Sequence, residues 1–448
     1  MTKSSCLSYP RPESFQTWTP INPRPLLPIQ PPPLQGLALP PLPSPTRDAA
    51  FGPAYTLTTH LVPSAFPRSS ADIPQPQVPA HETKVERKAR VARVAKEMLA
   101  LKERQEAGES LGEGSRAVLW NSLNRYVRNE VGGQERHTRK KHLTLFCAHA
   151  NGMHKETYEP MLRHLLSQSD ASYEIDEIWT FDSVQHGDSG LVNAAQLRGM
   201  FDWADNARDI LSFFLNYLPD GVSSEPLPTH LERVPSAVAD QRRASGFNQR
   251  SLVCVGHSYG GCSLVMGAHD SPALFSSLIL VDPVLIPEGY DRSAVLPGMV
   301  LAAVARRDIW SSREEAHKLL SASPFFGRWD PEVLKAYVEH AITSDGTGNV
   351  TLKTSGIQEA VVFLESLVCS EAFALMPKID ERISLKWIMP GPPEEGIAGD
   401  AVSRERVWLR PQNASNVRIL GAGHLAVQEK PLEVGEASSQ LCRRVRDR

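Results

Sequence analysis

Gly256-His257-Ser258-Tyr259-Gly260-Gly261 sets a serine among small residues. The apolar run Ser251-Leu252-Val253-Cys254-Val255 comes directly before it, and a small-residue stretch ending in Leu264-Val265-Met266 follows. That order reads strand, sharp turn, helix. On such a turn the serine Oγ is lifted clear of the sheet edge. The first turn of the following helix then offers unpaired backbone N–H groups and a favourable dipole to developing negative charge. The chemistry would be nucleophilic attack on a carbonyl, with a base taking the hydroxyl proton. G-x-S-x-G is weak evidence alone, because a glycine-rich turn after a buried strand has the same letters.

Three more features supply what that chemistry needs. His424, in Gly421-Ala422-Gly423-His424-Leu425, follows the last expected strand and precedes the final helix, so it can reach back to Ser258 as the base. His149-Ala150-Asn151-Gly152 follows another apolar strand. A turn there can aim the N–H of Asn151 or Gly152 at a substrate oxygen, alongside the N–H of Tyr259, as an oxyanion hole. The third feature is the acid that orients the histidine. Asp282 ends the strand Ser277-Leu278-Ile279-Leu280-Val281 and is followed by Pro283, while Glu394 and Glu395 lie in the later loop Gly391-Pro392-Pro393-Glu394-Glu395. Asp282 ranks first because a carboxylate at a strand's C-terminal end is well placed for burial; Glu395 and Glu394 stand as the alternatives. Asp182 and His186-Gly187-Asp188-Ser189 read as a bracing loop beside the site, with His186 structural.

These residues need an α/β scaffold with a mostly parallel sheet, and the pattern supplies one. Strands are expected at 55–62, 143–148, 175–181, 251–255, 277–281, 383–389 and 417–420. Helices are expected at 203–218 after the N-cap Asp202, at 259–269 and at 431–445. Alternation of strand and helix argues a parallel sheet flanked by helices. The core divides into 119–286 and 375–448. Between them, 287–374 reads as a helical lid with exposed-looking aromatics Trp310, Phe325, Phe326 and Trp329. Residues 1–50 are proline-rich and expected to be a disordered tail. Residues 51–118 hold the first strand, a Pro/Ser linker and a charged helix at 82–106, whose basic residues read as a solvated face because acids interleave.

The 448 residues carry a net charge of −3, which offers no electrostatic footprint for nucleic acid. The six cysteines show no metal-ligand spacing, so neither a metal nor a cofactor is expected, and reduced thiols point to an intracellular, cytoplasmic setting. Neither a transmembrane run nor a signal-peptide core is evident.

The chain from about Tyr55 onward resembles the AB hydrolase-1 group of α/β hydrolases. More narrowly, it is similar to a fungal branch that includes acyl-CoA hydrolases of mycophenolic-acid biosynthesis and hydrolases of toxin pathways. The resemblance rests on 149–156 (His-Ala-Asn-Gly-Met-His-Lys-Glu), 256–261, Val281-Asp282-Pro283-Val284-Leu285 and Gly423-His424-Leu425 before Glu429-Lys430-Pro431. Trp310-Ser311-Ser312-Arg313-Glu314-Glu315-Ala316 and 326–333 resemble that branch's lid. The resemblance implies an α/β-hydrolase fold with the acid after the strand that follows the serine's helix, which favours Asp282. It implies a serine hydrolase acting on a hydrophobic acyl ester or thioester, with acyl-CoA among the candidates. A triad of this kind also serves acyltransferases, haloperoxidases and lyases, and a non-catalytic binding protein on the fold is the reading of a different class. Two departures stand out. The resemblance leaves a peroxisomal setting open, but the sequence ends in Arg446-Asp447-Arg448 rather than a Ser-Lys-Leu-like tripeptide, which counts against peroxisomal import, and 67–118 reads as an insertion.

Overall fold

Among the described residues of this computed structural model (7–79, 81–130, 140–168, 172–365, 367–392 and 395–445), eleven strands fall into two sheets. They are β1 (Tyr55–Pro63), β2 (Trp120–Arg128), β3 (Lys141–Ala148), β4 (Tyr173–Phe181), β5 (Ser251–His257), β6 (Ser277–Val281), β7 (Ile309–Trp310), β8 (Ile342–Ser344), β9 (Val350–Leu352), β10 (Ser384–Pro390) and β11 (Ala414–Ile419). The main sheet runs β1-β2-β4-β3-β5-β6-β10-β11. β1 and β2 join antiparallel at one edge, and every neighbour from β4 to β11 is parallel. This is the mostly parallel α/β sheet expected from the alternating pattern and the α/β-hydrolase fold that the resemblance implies.

Alternation along each central strand sends side chains to two cores. Val253 and Val255 face a cluster with Met161, Leu165, Val434 and Leu441, from the helices Glu159–Ser167 and Pro431–Cys442. Leu252 and Cys254 face the opposite cluster with Ile210, Leu211, Leu264 and Val265, from the helices Trp203–Ser212 and Tyr259–Asp270. Both faces of the parallel strands are therefore covered, which is why those strands read as continuous apolar runs. Register then aligns their ends. Ala148 pairs with Gly256, and His257 with Val281. The residues that follow, His149, Ser258 and Asp282, emerge side by side at one edge of the sheet.

β2 is a strand that the pattern did not reveal. Its sequence, Trp-Asn-Ser-Leu-Asn-Arg-Tyr-Val-Arg, is half polar, yet eight of its nine residues are buried. Two of its polar side chains find partners across the sheet: Arg125 pairs with Glu177 of β4 at 2.6 Å, and Asn121 donates to the Asp182 carbonyl at 3.0 Å.

The insertion between β6 and β10 holds the helices Leu296–Ala305, Arg313–Ser321, Pro331–Ala341, Gly356–Phe363 and Val368–Leu375. It also carries the small sheet β7-β9-β8, which a purely helical lid did not anticipate. Trp310, Phe326 and Trp329 are buried in the lid's own core with Val333, Leu334 and Tyr337, so three of the four aromatics expected to be exposed are not. Phe325 alone stays 55% exposed.

Residues 7–50 contain no helix or strand beyond isolated bridges, as their prolines require. They are nonetheless laid against the fold rather than forming the disordered tail expected from composition. Tyr9 is buried, Trp18 Nε1 donates to Glu405 at 3.0 Å, and Arg24 reaches both Glu371 (2.6 Å) and Asp202 (3.1 Å). A proline-rich strap loses little entropy on ordering, so a few buried contacts can hold it. The charged helix forms as Lys84–Glu106, opened by a Thr83/Glu86 capping box, and buries Val91, Val94, Ala95 and Met98. Among the described residues no single helix is long and apolar enough to cross a membrane.

Candidate active site

Ser258 sits between β5 and the helix Tyr259–Asp270 with φ 58° and ψ −125°, a backbone conformation that L-residues rarely adopt. The surrounding contacts hold it there. Its N–H donates to the Val281 carbonyl at 3.1 Å, and its carbonyl accepts from Val284 N–H at 3.1 Å. Two glycines make the turn sterically feasible. A Cβ on Gly256 would lie 2.6 Å from Gly261 Cα, and one on Gly260 would lie 2.5 Å from the Ala148 carbonyl oxygen.

Three residues far apart in the chain meet at this turn. Ser258 Oγ lies 3.0 Å from His424 Nε2, and His424 Nδ1 lies 2.6 Å from Asp282 Oδ2. The carboxylate fixes the tautomer: Nδ1–H donates to Asp282, leaving Nε2 to accept from the serine hydroxyl. Asp282 has no solvent exposure. Burial pushes its carboxyl up, but the Arg406 guanidinium, the hydrogen bond from His424 and the N–H of Ile397 at 3.1 Å outweigh that and hold it below its ordinary value. Arg406 donates to Asp282 Oδ1 and to the Pro283 carbonyl, and is itself fully buried.

Of the alternative acids, Glu395 turns away. Its carboxylate pairs with Arg328 on the lid, and His424 Nδ1 faces Asp282 instead. Glu394 lies outside the described residues.

The turn after β3 brings its two candidate donors to the same place in different states. Gly152 N–H points at His186 Nε2, 3.0 Å away. Among the described residues neither Asn151 N–H nor Tyr259 N–H has a hydrogen-bond acceptor. Asn151 Nδ2 donates to the Glu359 carbonyl at 3.0 Å, which ties this turn to the lid helix Gly356–Phe363. Beneath it, Lys155 is buried among Asp182 (2.9 Å) and Asp188 (2.7 Å), so the loop after β4 is clamped to the loop after β3.

Two site residues escaped the sequence reading. Arg406 lies in a short charged helix, and no local pattern marks it as a partner for Asp282. In the sequence His257 is only a variable position within the serine motif. Its Nε2 lies 2.8 Å from the His424 carbonyl; burial pushes its pKa down to about 3, so the ring is neutral and donates there, bracing the loop that carries His424.

A cavity of about 220 Å³ opens onto Ser258 and His424. Its walls are mostly apolar, with Met153, Trp203, Val284, Met299, Phe363 and Leu425 among them. One ion pair, Arg306 with Glu359, and a further cation, Arg292, complete the lining. Among the described residues of the site there is no cluster of metal-ligand type. The one such group among the described residues, His142 with Glu174 and Asp176, lies near the opposite end of β3, where Arg128 already pairs with both carboxylates.

Residues 145–437 match the family model described as the alpha/beta hydrolase family. The chain is 29% identical over 229 residues to the type I acyl-CoA thioesterase mpaH of Penicillium brevicompactum, covering 51% of this chain and 46% of that protein. It is 37% identical over 123 residues to the abhydrolase domain-containing protein AFT2-1 of Alternaria alternata, covering 26% of this chain and 45% of that one. The chain thus spans less than half the length of these curated relatives. Among solved structures it is similar to the peroxisomal alpha-beta-hydrolase Lpx1 of Saccharomyces cerevisiae, with a TM-score of 0.59 and 19% identity over 87% of this chain and 89% of that one. At that identity the likeness is one of fold.

Proposed function

The chain belongs to the alpha/beta hydrolase family, and from that premise we propose that it is a serine hydrolase cleaving an ester or thioester of a hydrophobic carboxylic acid. The observation that carries the reading is the relay Ser258 Oγ–His424 Nε2–Asp282, at 3.0 and 2.6 Å, opening onto an apolar cavity. Ser258 Oγ attacks the carbonyl carbon as His424 Nε2 takes its proton. Asp282, kept ionised by Arg406, stabilises the imidazolium. The oxyanion is held by the N–H groups of Tyr259 and Asn151, since that of Gly152 is aimed at His186 Nε2 instead. His424 then protonates the leaving alcohol or thiol. Water, activated by the same histidine, releases the acid from Ser258.

The cavity volume suits a modest acyl group, and the apolar walls disfavour a charged one at the reacting carbon. The thioester half of the proposal draws on the name of the Penicillium relative.

Intact-mass spectrometry after treatment with a fluorophosphonate tests the mechanism. Wild type should gain a single adduct that Ser258→Ala and His424→Ala both lose. A well-folded wild type that gains none would overturn the reading. Parallel assays with p-nitrophenyl butyrate and butyryl-CoA then separate ester from thioester preference.

A further inference from the structure

Tyr259 contributes its N–H to the proposed oxyanion hole, and its side chain runs elsewhere. The phenol Oη donates to Ser183 Oγ at 2.7 Å. Ser183 Oγ is in turn 2.7 Å from His186 Nδ1. On the far side of that ring, Nε2 lies 3.0 Å from Gly152 N–H and 3.0 Å from Asn151 Oδ1. Ser183, His186 and Tyr259 are each no more than 1% exposed. A continuous hydrogen-bonded chain therefore links the residue that carries one oxyanion N–H to the turn that carries the other. These two segments come from different parts of the fold, one after β5 and one after β3, and no backbone hydrogen bond between them appears among the described residues.

We propose that Ser183 and His186 are positioning residues for the oxyanion hole, setting the separation between the Tyr259 and Asn151 N–H donors through the Tyr259–Ser183–His186–Asn151 chain. The inference rests on the serine-hydrolase reading above.

The hydrogen-bond chemistry gives the chain a direction. Burial holds His186 well below its ordinary pKa, so the ring is neutral and has one N–H. Asn151 Nδ2 is committed to the Glu359 carbonyl, which leaves Oδ1 as an acceptor facing His186. With the proton on Nε2, the chain runs head to tail: Tyr259 O–H to Ser183, Ser183 O–H to His186 Nδ1, His186 Nε2–H to Asn151 Oδ1. With the proton on Nδ1, Nε2 accepts from Gly152 N–H instead. A neutral ring satisfies one of those two partners at a time. Either tautomer grips the turn, one through the Asn151 side chain and the other through the Gly152 backbone. The neighbouring His149 is held separately, accepting from Ser183 N–H at 3.2 Å and donating to the Ala150 carbonyl at 2.8 Å. This gives the loop after β4 a second grip on the same turn.

The test compares Ser183→Ala, His186→Ala, His186→Gln, Tyr259→Phe and the Ser183→Ala/His186→Ala double variant in the full chain, with Ser258→Ala alongside. The readouts are kcat and KM for p-nitrophenyl butyrate and the inhibition constant of butylboronic acid, which forms a tetrahedral adduct on an active serine. A lost oxyanion donor costs on the order of 100- to 1,000-fold in kcat, so misplacement of one should cost about 10-fold or more. The expected result is a kcat loss of that size with KM within about twofold, a parallel weakening of the boronic acid, partial rescue in His186→Gln, and no further loss in the double variant because both residues act through one chain. Folded variants with wild-type kcat and boronic-acid affinity would overturn the inference. So would equal losses in kcat, KM and thermal stability with unchanged boronic-acid affinity, since that marks a packing role. If the alanine variants fail to fold, Tyr259→Phe, which removes a single hydroxyl, decides by the same readouts. Turnover by Ser258→Ala would instead sink the functional reading itself.

Discussion

Arg406 closes on Asp282 from the side opposite His424, so one buried carboxylate holds a guanidinium on Oδ1 and an imidazole on Oδ2. The arginine keeps the acid ionised in a place where burial alone would neutralise it.

Replacing Arg406 with leucine leaves that carboxylate buried without its cation. Stability should fall by about 3–5 kcal/mol. The sign of the pH effect follows from the lowered folded-state pKa of Asp282: its contribution to stability is present above the ordinary carboxylate range and is lost as pH falls through the folded value. In Arg406→Leu the Asp282 pKa rises, and the acid limb of kcat/KM moves to higher pH. An unchanged acid limb in a folded Arg406→Leu protein would contradict the role given to the arginine.

The two candidate acids should separate cleanly by mutation. Asp282→Asn removes the group that orients His424 and should lower kcat by roughly 10⁴-fold. Glu395→Gln breaks only a half-exposed pair with Arg328 and should leave kcat within about twofold. Steady-state assays of both variants check this; comparable losses would mean that the relay works through another carboxylate.

Acid should destabilise the fold through its neutral histidines. Burial pushes His60 down to about 4, and His149, His257 and His340 each to about 3. These folded values lie below the unfolded value near 6.5, so the unfolded chain binds protons that the folded chain does not. The stability they contribute is full above about pH 6.5 and drains as pH falls towards the folded values. Thermal unfolding between pH 7.5 and 4.5 should show Tm falling by several degrees, and His60→Gln should flatten part of that slope. A Tm independent of pH over this range would refute the assignment of neutral buried histidines.

The N-terminal strap should be detachable by one substitution. Arg24 is the cation for Glu371 and Asp202, whose side chains are 7% and 6% exposed. Arg24 itself is 44% exposed, so solvent screening limits its worth to about 1–2 kcal/mol. Arg24→Ala should speed proteolytic cleavage within residues 7–50 while leaving the core intact. Equal cleavage rates for wild type and variant would show that other contacts hold the strap.

The legible parts of this chain were those with local signatures. The strand, glycine-flanked serine and small-residue helix around Ser258 are contiguous, Asp282 directly follows an apolar strand, and His424 stands on the short loop after β11. β2 was not legible, because its polar residues meet their partners only across the sheet, Arg125 on Glu177 being the plainest case. The contacts of the strap were not legible for a related reason. Composition reports how little structure 7–50 can build by itself, and says nothing of the surface waiting to receive it.

Local residue order, then, determined which segments become strands and helices, where each turn exposes a side chain, and that a serine, a histidine and carboxylates stand at strand ends. Tertiary structure alone decided which of those groups meet. Ser258, Asp282 and His424 converge because the register of β5, β6, β10 and β11 brings their ends level. The pairing of His424 with Asp282 rather than Glu395, the cation on that carboxylate and the His186 chain behind the turn after β3 all depend on contacts between segments far apart in sequence. Pattern within a segment encodes its own burial and period; it carries no record of the partner that will satisfy a buried charge from elsewhere in the chain.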